Sequence, residues 1–211
     1  MNVIYVPDLK KIANDVLKHY IVMVTDNNCI KKLDIEDFLN VPPSGIIYTK
    51  LNDGDYVRSV EIVPDNLDIV LYSNRKALRV PMERIPNYRR STIGVSAMNI
   101  KSGEIIDGMS ILYPQSTDIV VVTQSGRINK FSITGLPRSD RYKAGNSVIR
   151  LGKTDKIVAI YGVNDSNILT IYTRNQTLEI SVKDIERASS VSSGMKTISA
   201  KTDFVAKTLI H

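Results

Sequence analysis

Residues 118–151 read DIVVVTQSGRINKFSITGLPRSDRYKAGNSVIRL, and this stretch decides the fold. An apolar run ends at Thr123, Ser125 and Gly126 supply a tight turn, and a second run carries Lys130. An arginine-rich loop then leads to Gly145 and a third apolar run. Short runs of Val, Ile, Phe and Thr set between Gly, Ser, Asn and Pro are strands set between turns.

The layout recurs three more times. An apolar run closing on Thr or Ser ends at Thr25, Ser73, Thr123 and Thr173, in steps of 48, 50 and 50. A Gly ahead of a strand stands at Gly45, Gly94, Gly145 and Gly194, where positive φ or close approach to a neighbour would demand it. An apolar residue follows the second strand at Phe38, Ile85, Leu136 and Ile185, and an acid precedes the fourth at Asp55, Glu104, Asp155 and Asp203. Four columns sharing one period identify a repeat of four short strands, and such repeats stack as blades. The predicted fold is therefore all-β and propeller-like, with about four four-stranded blades near 21–67, 68–117, 118–167 and 168–211. Connections this short exclude helical crossovers and a parallel βαβ sheet. In the first repeat the expected strands are 21–25, 29–33, 45–51 and 56–63. The second repeat is expected to carry strands at 77–80 and 94–100, the third to end with 156–163 and the fourth with 204–210.

Residues 1–20 stand apart. Residues 2–6 read as a lone strand, placed where the last strand of a preceding repeat would fall. Leu9, Ile12, Ala13, Val16, Leu17 and Tyr20 then follow the spacing of an amphipathic helix, and Pro7 suits its first turn. The chain is expected to begin mid-architecture, as a piece of a longer protein.

Composition narrows the function classes. No run approaches the length of apolar sequence needed to span a membrane, and the opening MNVIYVPDLKK has neither the basic leader nor the apolar stretch of a signal peptide. One cysteine, Cys29, leaves no internal disulfide, so the expected compartment is the cytoplasm. Two isolated histidines, His19 and His211, make no metal set with it. Gly152-Lys153-Thr154 ends like a phosphate-binding loop, but Ser147 occupies the place of the required earlier Gly. No cofactor is expected.

VVVTQSGRINKF (120–131) with DRYKAGNSVIRL (140–151), echoed by VLYSNRKALRV (70–80) with RRSTIGVSAMNI (89–100), resembles the C-terminal repeat of the A subunit of bacterial gyrase and topoisomerase IV, the β-pinwheel. The resemblance covers roughly residues 21–211. It implies a domain that binds duplex DNA on its rim without reading sequence, and bends or wraps it, inside an ATP-dependent type II topoisomerase. The catalytic residues would lie elsewhere in the parent enzyme, so no residue of this chain is expected to be catalytic. Implied partners are duplex DNA, the rest of the parent polypeptide and its ATPase partner, in the nucleoid and away from membranes. The glycine- and arginine-rich box of gyrase is absent: residues 40–45 are NVPPSG, without a cation. The resemblance therefore leans towards topoisomerase IV.

Charge gives a separate argument. The formal net charge is +6, unevenly spread. Repeat one has four basic and eight acidic residues, repeat two seven and four, repeat three eight and four, and repeat four six and four. Arg89, Arg90, Arg138, Arg141 and Lys143 precede the repeat Gly in successive repeats, and Lys31, Lys32, Arg79 and Lys130 share a second-strand column. Equivalent positions on successive blades predict one rim stripe able to hold phosphates, joined in the best-kept repeat by Arg127, Arg150 and Lys153. Repeat four breaks the pattern with Glu179 and with ASSVSS at 188–193. The alternative is a propeller that binds protein, with the stripe incidental.

Overall fold

The computed structural model describes residues 8–199 and 203–211. Repeat one supplies β1 (His19–Thr25), β2 (Cys29–Asp34) and β3 (Val57–Pro64). Repeat two supplies β4 (Asp68–Ser73), β5 (Ala77–Pro81), β6 (Val95–Ser96) and β7 (Ile106–Leu112). Repeat three supplies β8 (Asp118–Thr123), β9 (Arg127–Ser132) and β10 (Ile157–Val163), and repeat four β11 (Ile168–Thr173), β12 (Thr177–Ser181), β13 (Met195–Lys196) and β14 (Val205–Ile210). The architecture is all-β, with antiparallel sheets, as the repeat predicts.

In every sheet the first strand of a repeat lies between its second and its fourth, giving orders such as β3-β1-β2-β6 and β10-β8-β9-β13. A central strand covered on both faces must be apolar throughout, and β4 and β8 are buried along their whole length. Their side chains alternate between two cores. Ile69 and Leu71 pack towards repeat one, while Val70 and Tyr72 pack towards repeat three. Ile119 and Val121 likewise face repeat two, and Val120 and Val122 face repeat four. Each interface between blades is thus a hydrophobic core, worth about 1.5–3 kcal/mol for each fully buried large aliphatic side chain.

The repeat columns have local jobs. The hydroxyl closing the first strand accepts from the backbone beyond the hairpin turn: Thr25 from Cys29 N (3.2 Å), Thr123 from Arg127 N (3.1 Å) and Thr173 from Gln176 N (3.0 Å). The acid ahead of the fourth strand accepts from the same turn, Asp55 from Asn27 N (3.0 Å) and Asp155 from Ser125 N (2.9 Å).

The third strand leaves its own repeat. Val95 and Ser96 pair with Ile30 and Cys29 of repeat one, Met195 and Lys196 pair with Ile128 and Arg127 of repeat three, and Asn146 bridges Ala77 of repeat two. Glycine makes the seam possible. Gly94 and Gly194 have positive φ, and a Cβ there would stand 2.5 Å from the carbonyl oxygens of Ile30 and Ile128 respectively. Consecutive residues in sequence therefore build sheets offset by one strand. The strand expected at 45–51 is absent and that at 94–100 shrinks to β6, because this segment pairs only where a preceding second strand receives it. Gly45 keeps the positive φ, but nothing lies within 4 Å of its Cβ position.

The N-terminal helix is also shorter than its apolar spacing suggests. It covers only Leu9–Ala13, capped by Asp8, whose carboxylate accepts from Lys11 N (2.9 Å). Val16 is 99% exposed, and Tyr20 is buried in β1 opposite Val63. Strand pairing takes the end of the stripe, and five residues are too few for a helix to hold its own. The expected strand at 2–6 and Pro7 lie outside the described residues.

Candidate nucleic-acid interface

The second-strand column is not on the surface. Lys32 and Lys130 are buried, and Arg79 is largely so. Each reaches across a blade interface to the 3₁₀ turn of the next repeat. Lys32 Nζ donates to Met82 O (3.1 Å), Arg79 Nη1 to Ile133 O (3.2 Å) and Lys130 Nζ to Val182 O (2.7 Å). Carboxylates complete the neutralisation: Asp65 beside Lys32, Asp68 beside Arg79 and Asp165 beside Lys130. The Tyr20 ring lies 4.3 Å from Lys32 Nζ. Lys31, only 1% exposed, donates to Tyr48 O (2.6 Å) and Thr92 O (2.9 Å), and burial lowers its pKa. These four cations, expected on the rim, hold blades together; reaching a phosphate would break buried charged hydrogen bonds.

The loop cations are placed otherwise. Arg89, Arg90, Lys143, Arg150 and Lys153 are exposed. Ser91 and Tyr142, each three residues ahead of the repeat Gly, share a left-handed turn with φ of 63° and 61°. One backbone device therefore presents Arg89 and Arg90 in repeat two and Arg141 and Lys143 in repeat three. Each loop lies on the third-strand segment of the preceding repeat. Thr92 O accepts from Lys50 N (3.3 Å), Tyr142 N donates to Ala97 O (2.7 Å), and Ser192 O accepts from Arg150 N (2.8 Å). Arg141 and Arg127 are half-buried, with Nη1 of each on a backbone carbonyl, Ser96 O (3.3 Å) and Ser193 O (3.1 Å). Arg138 shares the buried carboxylate of Asp68 with Arg79, at 2.7 and 2.6 Å, yet leaves 64% of its side chain exposed. Arg187 repeats the contact one blade on, at 2.7 Å from Asp118.

Beside this row lies a cleft of about 430 Å³ that gathers Arg75, Lys76, Lys101 and Arg150, with one acid, Glu104, around Ile149 and Val191. Of these four cations only Arg150 is a candidate from the sequence, as a further cation of repeat three. The missed signal is the hairpin turn of repeat two: Arg75-Lys76 stands where repeats one and three place Asn27-Asn28 and Ser125-Gly126. At the other end, Arg89 and Arg90 border Asp37 and the exposed Ile47 of repeat one, where basic loops stop. Among the described residues no group of His, Cys, Asp and Glu is placed to hold a metal ion, and no helix is long and apolar enough to cross a membrane.

Residues 19–64, 73–112 and 117–164 match the family described as DNA gyrase C-terminal domain, beta-propeller. The DNA gyrase A protein of Borrelia hermsii is 28% identical over 189 residues, covering 88% of this chain and 23% of that protein. The gyrase A protein of Haloquadratum walsbyi is 31% identical over 169 residues, covering 73% of this chain and 19% of that protein. The chain thus spans less than a quarter of the length of these relatives. The crystal structure of the C-terminal domain of DNA topoisomerase IV superposes with a TM-score of 0.84 at 24% identity, covering 93% of this chain and 63% of that one. The C-terminal domain of DNA gyrase A gives 0.79 at 18% identity, covering 90% and 65%.

Proposed function

Given that this chain belongs to the C-terminal β-pinwheel family of the gyrase A and topoisomerase IV A proteins, we propose that it binds and bends duplex DNA for a type IIA topoisomerase in the nucleoid. The observation that carries the reading is the pair of arginine loops, in repeats two and three, each laid on the third-strand segment of the repeat before it. Exposed guanidinium and ammonium groups on such loops neutralise phosphates and release counterions without reading bases. Bending a 20–30 bp site by 40–90° costs about 1–6 kcal/mol, which several phosphate contacts offset. The rim residues assigned to DNA are Arg89, Arg90, Arg138, Arg141, Lys143, Arg150 and Lys153, with Arg127 at the far end. Arg75, Lys76 and Lys101 join them through the cleft they share with Arg150.

The track covers an arc. Residues 40–45 offer no cation, and Asp34, Glu36 and Asp37 lie in and just before the neighbouring 3₁₀ turn. This supports local bending of the topoisomerase IV kind over a full chiral wrap. The acidic balance of repeat one, with Ile47 75% and Tyr56 67% exposed, supports a protein contact on that blade, towards the remainder of the parent polypeptide and its ATPase partner.

The test is duplex binding across a salt series. Replacing Arg89, Arg90, Arg141, Lys143, Arg150 and Lys153 by Ala should flatten the log K against log salt slope by up to about 5, at 0.9 per phosphate lost. An unchanged slope with intact affinity would sink the proposal.

A further inference from the structure

The fourth strands β3, β7, β10 and β14 each form a sheet edge, on the other side of the first strand from the second strand, which in repeats one to three receives the third-strand segment. Where they converge is a cleft of about 350 Å³ to which all four repeats contribute. Its one ionisable acid is Glu61, half-buried on β3, and two tyrosines, Tyr113 and Tyr161, face it from repeats two and three. Ile111 and Ile210 supply apolar wall.

Glu61 is anomalous in its setting. Among the described residues it has no ion pair and no side-chain hydrogen bond. Burial pushes its carboxyl up from the ordinary value, and no cation brings it back. Arg58, on the same strand, is engaged by both oxygens of Asp26, at 2.7 and 3.0 Å. The hydroxyl of Tyr161 is taken by Thr208, at 2.7 Å from Oγ1, which holds the ring as a fixed wall. An unpaired carboxylate in a cleft shared with two tyrosines and lined by aliphatic side chains matches a positive head on a methylene stem: the carboxylate meets the charge, the rings offer cation–π attraction, and the apolar wall takes the stem.

We propose that this inner cleft binds an alkylammonium ion, the chemistry shared by a polyamine and by a lysine side chain of a partner, with Glu61 as its counter-ion. Because β3, β7, β10 and β14 all border the cleft, the bound cation joins blades that are otherwise linked only to their neighbours, and fixes the curvature of the arc.

The experiment is an amide nuclear magnetic resonance titration of the whole chain, without DNA, at physiological salt. One arm uses spermidine and the other Nα-acetyl-lysine methylamide. The expected result is a saturable shift confined to residues near 61, 110–116 and 161–164, weakened at least tenfold by Glu61→Gln, a near-isosteric change. Tyr113→Leu, at an exposed position, should weaken it several-fold without unfolding. Saturation by spermidine alone assigns the site to a polyamine; saturation by both assigns it to any alkylammonium head, a lysine included. The proposal is overturned if neither compound saturates, if Glu61→Gln binds as wild type, or if the shifts fall on the acidic turn at residues 34–37 instead. The DNA reading survives such a failure, because no residue assigned to DNA lines this cleft.

Discussion

Lys130 separates two accounts of the basic column. On the surface it would bind phosphate; in the fold it ties β9 to the turn of repeat four through Val182 O at 2.7 Å. Consider Lys130→Met, which keeps the stem and removes the charge. A hydrogen bond from a charged donor contributes about 1.5–3 kcal/mol, and its loss leaves Val182 O with Ile185 N, at 3.1 Å, as its donor. The second contact, to Asp165 at 3.3 Å, involves a carboxylate 71% exposed, so solvent screens it to at most about 1 kcal/mol. The methionine stem retains the packing. The expected cost is therefore about 2–3 kcal/mol. Urea unfolding followed by far-ultraviolet circular dichroism measures it, since the chain has no tryptophan. The same protein, assayed below its unfolding midpoint, should bind duplex DNA with an unchanged salt slope. A variant of wild-type stability whose slope drops by about one would refute the placement of Lys130.

Other changes follow from the same geometry. Gly194→Ala should cost about 2–4 kcal/mol, combining an unfavourable φ with a Cβ 2.5 Å from a carbonyl oxygen, whereas Gly45→Ala should cost only about 1 kcal/mol, and thermal midpoints compare the two. Arg75→Ala with Lys76→Ala and Lys101→Ala should weaken duplex binding and lower the salt slope while leaving the unfolding midpoint in place; an unaffected affinity removes the cleft from the track. Burial raises the carboxyl groups of Glu61 and Asp107 in the folded state, the latter also through Asp26 and against the pull of Arg58 and Lys156. The folded protein then holds those protons more tightly than the unfolded chain. Their contribution is complete below the unfolded carboxylate value and is lost as pH rises through the folded one. Glu61→Gln and Asp107→Asn should each flatten that fall in a pH series of unfolding midpoints, and an unchanged profile would argue against their burial.

The repeat was legible because each column answers a local demand. A hydroxyl at Thr25 or Thr123 and a carboxylate at Asp55 or Asp155 satisfy the same hairpin turn within their own repeat. The glycine column was legible as a close approach for the same reason. What it approaches was not, since Gly94 meets Ile30, in the preceding repeat. The misplaced cations have the same origin. Nothing near Lys32 or Lys130 in sequence reveals an acceptor 50 or 52 residues ahead, so buried ties and phosphate ligands read alike. Tyr20 fits a helical stripe and a strand equally well, and pairing with Val63 decides the matter. Arg75, Lys76 and Lys101 sit outside the two aligned columns and become neighbours of Arg150 only when blades pack.

The offset between sequence repeat and sheet has a consequence for synthesis. Cys29 pairs with Ser96 and Ile128 with Met195, 67 residues later in each case. At about 5–20 residues per second, a sheet waits roughly 3–13 s on the ribosome before its last strand is made. During that interval its second strand is an open edge, the kind of surface that recruits strands from other nascent chains. Charged side chains on an edge discourage such pairing. Lys31 and Lys32 stand on that edge in β2, Arg79 in β5 and Lys130 in β9. The cations that tie finished blades together therefore also guard unfinished ones until the following repeat arrives.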